Sequence, residues 1–401
     1  MDMDWDAMRS RFHLPEGLIY LDGNSLGPLP AGTSERVRRV IEEEWGDLLI
    51  RGWNDGADGA GWMDWSARLG DRIGRLIGAP AGSVSVGDTL SIKVHQALSA
   101  ALQMRPDRRV ILSDEGNFPS DLYMAEGLIA SLDRGHELRV VPPDAVADAI
   151  DDDVAVVMLT QVDYRTGRMH DMADLTARAH AAGALAVWDL AHSAGAHEVD
   201  VTAAGADFAV GCTYKYLNAG PGAPAFIHVR PDLIDAVRPA LSGWLGHAAP
   251  FAFEQDYRPG EGIARMRVGT PPVLQLAALE AALDIWDEVD MAALRARSLE
   301  LSERFAKAVA ARCPDLTPAL PSDVPRGSQV SFRHPKGYAI VQALIARGVI
   351  GDFRAPDILR FGLTPLYLGE AEVDAAVEHL AAVLERREWD DPRFRARRGV
   401  T

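Results

Sequence analysis

ALAVWDLAHSAGAHEVDVTAAGADFAVGCTYKYLN, residues 184–218, decides the fold. It opens on ALAVWDL (184–190), an apolar run that ends in an acid. It passes to DFAVGC (207–212), a second apolar run that ends just before Lys215. Both runs have the length and composition of buried strands. The chain has few lysines, and this one stands between Tyr214 and Tyr216 beyond a strand.

Outward from this stretch the pattern repeats. RRVILSD (108–114), LRVV (138–141), VAVVMLT (154–160) and APAFIHV (223–229) read as further strands. PSDLYMAEGLIASL (119–132) starts with proline in its first turn, and DMADLTARAHAAG (171–183) has an Asp cap and a terminal Gly. Both read as helices. Continuous apolar strands separated by helices predict a mostly parallel central sheet covered on both faces, a doubly wound α/β domain.

The pattern changes after about residue 275. A long helical region over 274–312 leads to the Pro-rich PDLTPALPSDVPRG. A strand QVSFRH, a helix YAIVQALIARG, the segment GVIGDFRAPDILRFGL and a closing helix EAEVDAAVEHLAAVLERRE follow. The expected division is a large α/β domain over 55–275. A smaller α+β domain combines 1–54 with 276–401, the N-terminal residues lacking a sheet of their own.

The 401 residues allow two domains with a large core. A net charge of −17 argues against nucleic acid or an anionic membrane as partner. No apolar run approaches the ~18 residues of a membrane span, and the acidic start MDMDWDAMRSRF is not a signal peptide. Cys212 and Cys313 read as reduced thiols. The expectation is a cytoplasmic protein.

In open α/β sheets, ligands sit at the carboxyl ends of the strands. Asp189 and then His192 follow one strand, and Tyr214 and Lys215 another. Thr160 and Gln161 follow a third, and Ser113 and Asp114 a fourth. A lysine amine forms a Schiff base with an aldehyde. A buried carboxylate keeps a ring nitrogen protonated. These are the two groups that pyridoxal phosphate requires. Its phosphate needs a turn at a helix start. VGDTLSIKVHQALSAAL supplies one, with Gly87, Thr89 and Ser91. Taken singly, each residue has a commonplace reading. Lys215 could be a surface or salt-bridged lysine, Asp189 a helix cap, and Thr89 and Ser91 ordinary helix-start residues. His192, His197 and Asp189 could imitate a metal site but lack tight ligand spacing, so no metal is expected. The combination in this chain order is what points to the cofactor.

With these residues placed, the chain resembles the kynureninase family, fold type I pyridoxal-phosphate enzymes of the aspartate aminotransferase superfamily. IYLDGNSLGPLP (19–30), FPSD (118–121), DYRTG (163–167), DLAHSAG (189–195), CTYKYLNAGPGAPAFIHV, GWLGH (243–247), RVGTPP (267–272) and LRFGLTPLY (359–367) carry the likeness. The resemblance implies that Lys215 binds the cofactor aldehyde and that Asp189 pairs with the ring nitrogen. His192 would lie beside the ring, Phe118 would stack on it, and Asp121 would help orient it. Leu90, Ser91 and Tyr214 would hold the phosphate, and Thr160 would sit near the ring hydroxyl. Trp244 and Thr270 would reach in from the other subunit of a homodimer. Arg360 would clamp the substrate α-carboxylate, with Asn24 and Ser25 lining the substrate side.

Some family members carry asparagine where Thr270 stands, and a histidine within the segment matching 45–54. Here that segment is WGDLLIRGWN, and Trp53 is the candidate for the aryl ring. The implied activity is hydrolysis of L-kynurenine, or its 3-hydroxy form, to anthranilate or 3-hydroxyanthranilate and L-alanine in tryptophan catabolism. Lys215, Asp189 and Tyr214 would be catalytic, with Tyr214 as a proton donor. The nearest alternative is a cysteine desulfurase or related β-lyase. A non-catalytic metabolite sensor is another, although no effector module is evident.

Overall fold

The computed structural model describes residues 3–56, 59 and 61–396. Its centre is a seven-stranded sheet. In spatial order the strands are Val84–Val86, Phe226–Val229, Phe208–Gly211, Leu185–Asp189, Val154–Thr160, Val110–Asp114 and Glu137–Val141. Phe226–Val229 runs antiparallel to both its neighbours, and every other pairing is parallel. Fold type I architecture is thus realised as a mostly parallel sheet.

Burial explains the uncharged strands. All seven residues of Val154–Thr160 and all five of Leu185–Asp189 are buried. Leu185 and Val187 pack on one face with Val94, Leu98 and Leu128 from helices Leu90–Gln103 and Pro119–Leu132. Ala186 and Trp188 point the other way, into a core with Leu279, Leu283 and Trp286. Alternation with both faces covered requires apolar residues at every position. Each large apolar side chain so buried contributes roughly 1.5–3 kcal/mol. Trp188 also donates from Nε1 to Thr176 Oγ1 at 2.9 Å, on the covering helix Met172–Ala181.

Two sequence expectations need correction. The long helical region is two helices, Val273–Trp286 and Met291–Arg312. Asp290 starts the second by accepting from Ala292 N and Ala293 N at 3.0 and 3.1 Å. The edge strand Val84–Val86 was not foreseen, because three residues are too few to show a period.

A second sheet orders Thr317–Pro318, Gln329–Arg333, Ile358–Gly362 and Asp352–Arg354, all antiparallel. The segment read only as GVIGDFRAPDILRFGL therefore supplies two of its strands. The N-terminal residues pack here: Ile19–Tyr20 pairs in parallel with Val349–Ile350. They also make a small ladder of their own, Phe12–His13 with Leu29–Pro30, where none was expected.

Candidate active site

Three neighbouring strands set the site. Thr160 ends one and is in register with Asp189, which ends the next and is in register with Val210 of the third. The chain then turns through Cys212–Tyr214 to Lys215. A cleft at these carboxyl ends is lined by Leu90, Ser91, Phe118, Ser120, Asp121, Thr160, Tyr164, Asp189, Ala191, His192, Tyr214 and Lys215. Nine of these are residues singled out in the sequence, drawn from segments up to 125 positions apart. Tyr164, Ser120 and Ala191 are additions.

The lysine loop is held rigidly. Asn218 N donates to Lys215 O at 3.0 Å, with Asn218 at φ 61°. Thr213 Oγ1 donates to Pro224 O at 2.6 Å. Gly27 N donates to Tyr214 O at 2.8 Å, and a Cβ on Gly27 would lie 2.4 Å from Lys215 O. The glycine in the N-terminal motif is thus a close-approach residue beneath the lysine. Lys215 Nζ lies 3.0 Å from His192 Nε2, and within 6 Å of the ring centres of Phe118 (5.9 Å) and Tyr214 (5.7 Å).

Opposite the lysine stand two buried acids. Asp189 Oδ1 accepts from Ala191 N at 2.8 Å. Burial pushes the Asp189 carboxyl up, and the Lys215 charge opposes that shift. Burial and the Asp189 charge together push Asp121 well above the usual carboxylate range. The interaction between the two carboxyls raises Asp121 and lowers Asp189. Asp121 Oδ2 is buried and unpartnered.

Thr160 Oγ1 donates to Asn117 Oδ1 at 2.5 Å, with Asp189 Oδ2 farther off at 3.4 Å. Asn117 also accepts from Phe118 N at 2.7 Å and donates to Ser113 Oγ at 3.0 Å. It thereby fixes both Thr160 and the exposed Phe118 ring. Sequence reasoning missed it, although it directly precedes the FPSD motif. Phe118 meets the Tyr164 ring edge-on at 5.0 Å.

Two helix N-termini open on the cleft. Leu90–Gln103 brings Leu90 and Ser91, and Pro119–Leu132 brings Ser120, whose Oγ is 3.0 Å from Ser91 Oγ. Unpaired N–H groups and the helix dipoles make this corner suitable for a phosphate. Thr89 is the exposed N-cap of the first helix and makes no side-chain cap bond. Gly87 and Asp88 both take positive φ, 159° and 57°. The donor set fits pyridoxal phosphate. An amine stands for the aldehyde, a carboxylate for the ring nitrogen, an aromatic for the ring face and a hydroxyl-lined helix pair for the phosphate.

Other expected residues lie apart. Arg360 is fully buried beyond the cleft wall, with Nε on Asp352 Oδ1 at 2.7 Å and Nη2 on Asp352 Oδ2. Its Nη2 also reaches Ser25 Oγ at 2.9 Å, and Nη1 donates to Tyr164 O. Its fork is therefore closed on Asp352 and not open to a ligand. Ser25 donates to Asp352 Oδ2 at 2.6 Å. Asn24 does not line the cleft: it is completely buried, and no side chain larger than glycine fits between it and Gly362. Trp53 does not line it either. It meets Trp62 edge-on at 5.5 Å, and Trp62 is tied to buried Glu44 at 2.7 Å. Trp244 (40% exposed) and exposed Thr270 are absent from this chain's own cleft.

Comparison with known proteins gives the family. Residues 294–380 match the family model described as kynureninase C-terminal domain. A protein named kynureninase from Pseudomonas fluorescens is 54% identical over 402 residues, covering 98% of this chain and 96% of its own. One so named from Burkholderia pseudomallei (strain 1106a) is 50% identical over 404 residues, with the same coverage. Among solved structures, a C-DES mutant with glycine covalently linked to its PLP cofactor superposes with TM-score 0.80 at 20% identity. It covers 93% of this chain and 98% of its own. The cysteine desulfurase CsdA from Escherichia coli gives 0.80 at 19% identity, covering 96% and 99%. These two likenesses concern the fold alone. The full-length relatives at half identity, together with the Lys215–Asp189 cleft, show that the chain belongs to the kynureninase family.

Proposed function

We infer that this chain uses pyridoxal phosphate to hydrolyse L-kynurenine to anthranilate and L-alanine, a step of tryptophan catabolism. The observation that carries this is one cleft in which the Lys215 amine faces the Asp189–Asp121 acid pair, in a chain half identical throughout to proteins named kynureninase. The bound cofactor supplies a cationic ring that draws electrons away from the substrate Cα.

The chain's residues do the rest. Asp189 holds a proton at the ring nitrogen, and Asp121 keeps Asp189 in place. Leu90, Ser91 and Tyr214 hold the phosphate, Phe118 covers the ring, and Thr160 sits at its hydroxyl. Lys215 takes the proton from the substrate Cα. Water adds to the γ-carbonyl, and the Cβ–Cγ bond breaks. Tyr214 delivers a proton to the carbon left behind. Burial and then Cys212 push the Tyr214 phenol up, so it keeps its proton until that step. Arg360 and Ser25 face the α-carboxylate once the contact with Asp352 rearranges.

We further propose a homodimer with shared sites. Trp244, with Phe251 edge-on at 5.7 Å, is exposed together with Phe251 and Phe253 (63% and 74%). An exposed aromatic group of this kind suits a partner's cleft. Acidic charge and two free, buried cysteines favour a reducing, cytoplasmic setting. Among the described residues no helix is long and apolar enough to cross a membrane. Burial of both Cys212 and Cys313 also counts against desulfurase chemistry, which needs a thiol on a mobile loop. The test is purified chain plus pyridoxal phosphate with L-kynurenine, 3-hydroxy-L-kynurenine or L-cysteine. Anthranilate or its hydroxy form supports the reading, and sulfide or alanine from cysteine alone refutes it.

A further inference from the structure

Strand Asp352–Arg354 runs antiparallel to Ile358–Gly362, with Asp352 directly opposite Arg360. Arg354 stands two residues past Asp352 and so lies on the same face of the sheet. Strand geometry thus gathers two guanidinium groups around one carboxylate.

Both arginines use the same acceptors. Arg360 grips Asp352 through Nε and Nη2, and Arg354 Nη2 lies 2.8 Å from Asp352 Oδ2. Ser25 Oγ is 2.9 Å from Arg360 Nη2 and 3.2 Å from Arg354 Nη2, while its own proton goes to Asp352 Oδ2. The Asp352 side chain is completely buried, and that of Arg354 is 31% exposed. Among the described residues neither arginine has a second acid within ion-pair reach, so two positive charges face one negative. Asp22 borders the group, its carbonyl accepting from Ser25 N at 2.9 Å. Burial, then Asp352, pushes its carboxyl up to about 8, so it holds its proton at neutral pH. Burial and then Arg360 pull the Arg354 guanidinium down, as expected where two cations share one acid. The group abuts the cleft through Tyr164. Arg360 Nη1 donates to the Tyr164 carbonyl, and Tyr164 lines the cleft with its ring edge-on to Phe118.

A lone Arg360–Asp352 pair would be neutral, and a carboxylate approaching it would meet a competing acid and no net charge. A second arginine removes that obstacle. We propose that Arg354 is the second cation of the substrate carboxylate site: by sharing Asp352 with Arg360 it leaves the group one positive charge, which the α-carboxylate neutralises. When the carboxylate reaches Arg360 and Asp352 gives way, Arg354 is the cation that keeps Asp352 paired. The inference rests on Arg360 receiving the carboxylate in the proposed reaction.

The test is a cycle between this arginine and the carboxylate, on the cofactor-loaded chain. Binding of L-alanine and of L-alaninamide, which lacks the anionic carboxylate, is read from the visible absorbance of the cofactor. Arg354→Met should weaken L-alanine binding about 10- to 100-fold, since a neighbouring opposite charge is worth about one to three tenfold steps when buried and less when partly exposed. L-alaninamide binding should not weaken. Arg354→Lys keeps the charge and should regain most of the loss, and Arg354→Gln replaces Arg354→Met if the latter does not fold. With L-kynurenine the loss should fall on KM, with kcat lowered far less. Unchanged L-alanine binding, or an equal loss for the acid and its amide, overturns the proposal. Absence of anthranilate from the wild-type reaction would instead refute the proposed function and leave the alanine comparison standing.

Discussion

The two buried acids make opposite predictions for the same chemical change. In the proposed chemistry Asp189 carries the charge that faces the ring nitrogen, and Asp121, pushed well above the usual carboxylate range, carries the proton. In Asp189→Asn the amide oxygen can still accept from Ala191 N, so the fold survives, but the charge is gone. An adjacent opposite charge shifts a titrating group by about 1–3 units. At 1.36 kcal/mol per unit, losing it costs about 1.4–4 kcal/mol of support for the protonated ring. If this support is lost in the transition state, turnover falls roughly 10- to 1,000-fold.

In Asp121→Asn a neutral donor replaces a neutral donor toward Asp189. Only hydrogen-bond quality changes, about 0.5–1.5 kcal/mol, and turnover should fall by less than about tenfold. Anthranilate formation under saturating cofactor gives the rates, and visible absorbance after gel filtration checks loading. If Asp121→Asn loses as much turnover as Asp189→Asn while both stay loaded, the charge does not sit on Asp189 and the pairing is misread.

Three further outcomes follow from single contacts. Tyr214→Phe should lower turnover about 100- to 10,000-fold if the phenol is the proton donor; undiminished turnover removes it from that role. Gly27→Ala puts a Cβ 2.4 Å from Lys215 O and 2.5 Å from Asn218 Nδ2. It should cost about 1–3 kcal/mol in a melt and, by displacing the lysine, about 100-fold in turnover; a fully active, equally stable variant contradicts the close approach. Asp22 is pushed up to about 8 by burial first and then by Asp352. The folded state binds its proton more tightly, so its contribution is fully present below the unfolded value near pH ~3.9 and is lost as pH rises toward 8, at up to about 1.4 kcal/mol per unit. Asp22→Asn should flatten that part of the stability curve in urea titrations between pH 5 and 8, and an unchanged slope would assign it to other groups.

What was legible in the sequence was local. Strands such as Val154–Thr160 announce themselves because both faces are covered and no charge is tolerated. Helix Pro119–Leu132 has proline where the first turn needs no N–H. Asp189 and Lys215 stand out as polar residues at strand ends. What was not legible depends on pairs that only folding makes. Arg360 reads as a free fork until Asp352, eight residues back on a paired strand, and Ser25, 335 residues away, are seen around it. Gln329 reads as the first residue of an apolar strand. Its amide reaches the Tyr164 carbonyl at 3.0 Å, an approach that the missing side chain of Gly167 allows. Asn117 had a local signal, its place before FPSD, yet its partners Ser113, Met158 and Thr160 come from two different strands.

The division between legible and hidden has a structural reason. Residues on one parallel sheet reach a common edge by topology alone, since each crossover returns the chain to the same side. Asp189 and Lys215 are 26 positions apart because one crossover, the strand Phe208–Gly211 and a short turn lie between them. Their meeting needs no specific contact between the intervening residues. The second sheet has no such guarantee. Gln329, Asp352, Arg354 and Arg360 reach the neighbourhood of the cleft only through the docking of one unit on the other, by contacts such as Ser328 Oγ on Ala196 O at 2.7 Å and Gly327 N on Gly167 O at 2.9 Å. In the proposed mechanism electron withdrawal at the ring is therefore built into the large sheet, whereas carboxylate recognition depends on that docking. A change that loosens the docking without touching the large sheet, such as Ser328→Ala, should weaken substrate binding and slow turnover while leaving the cofactor bound.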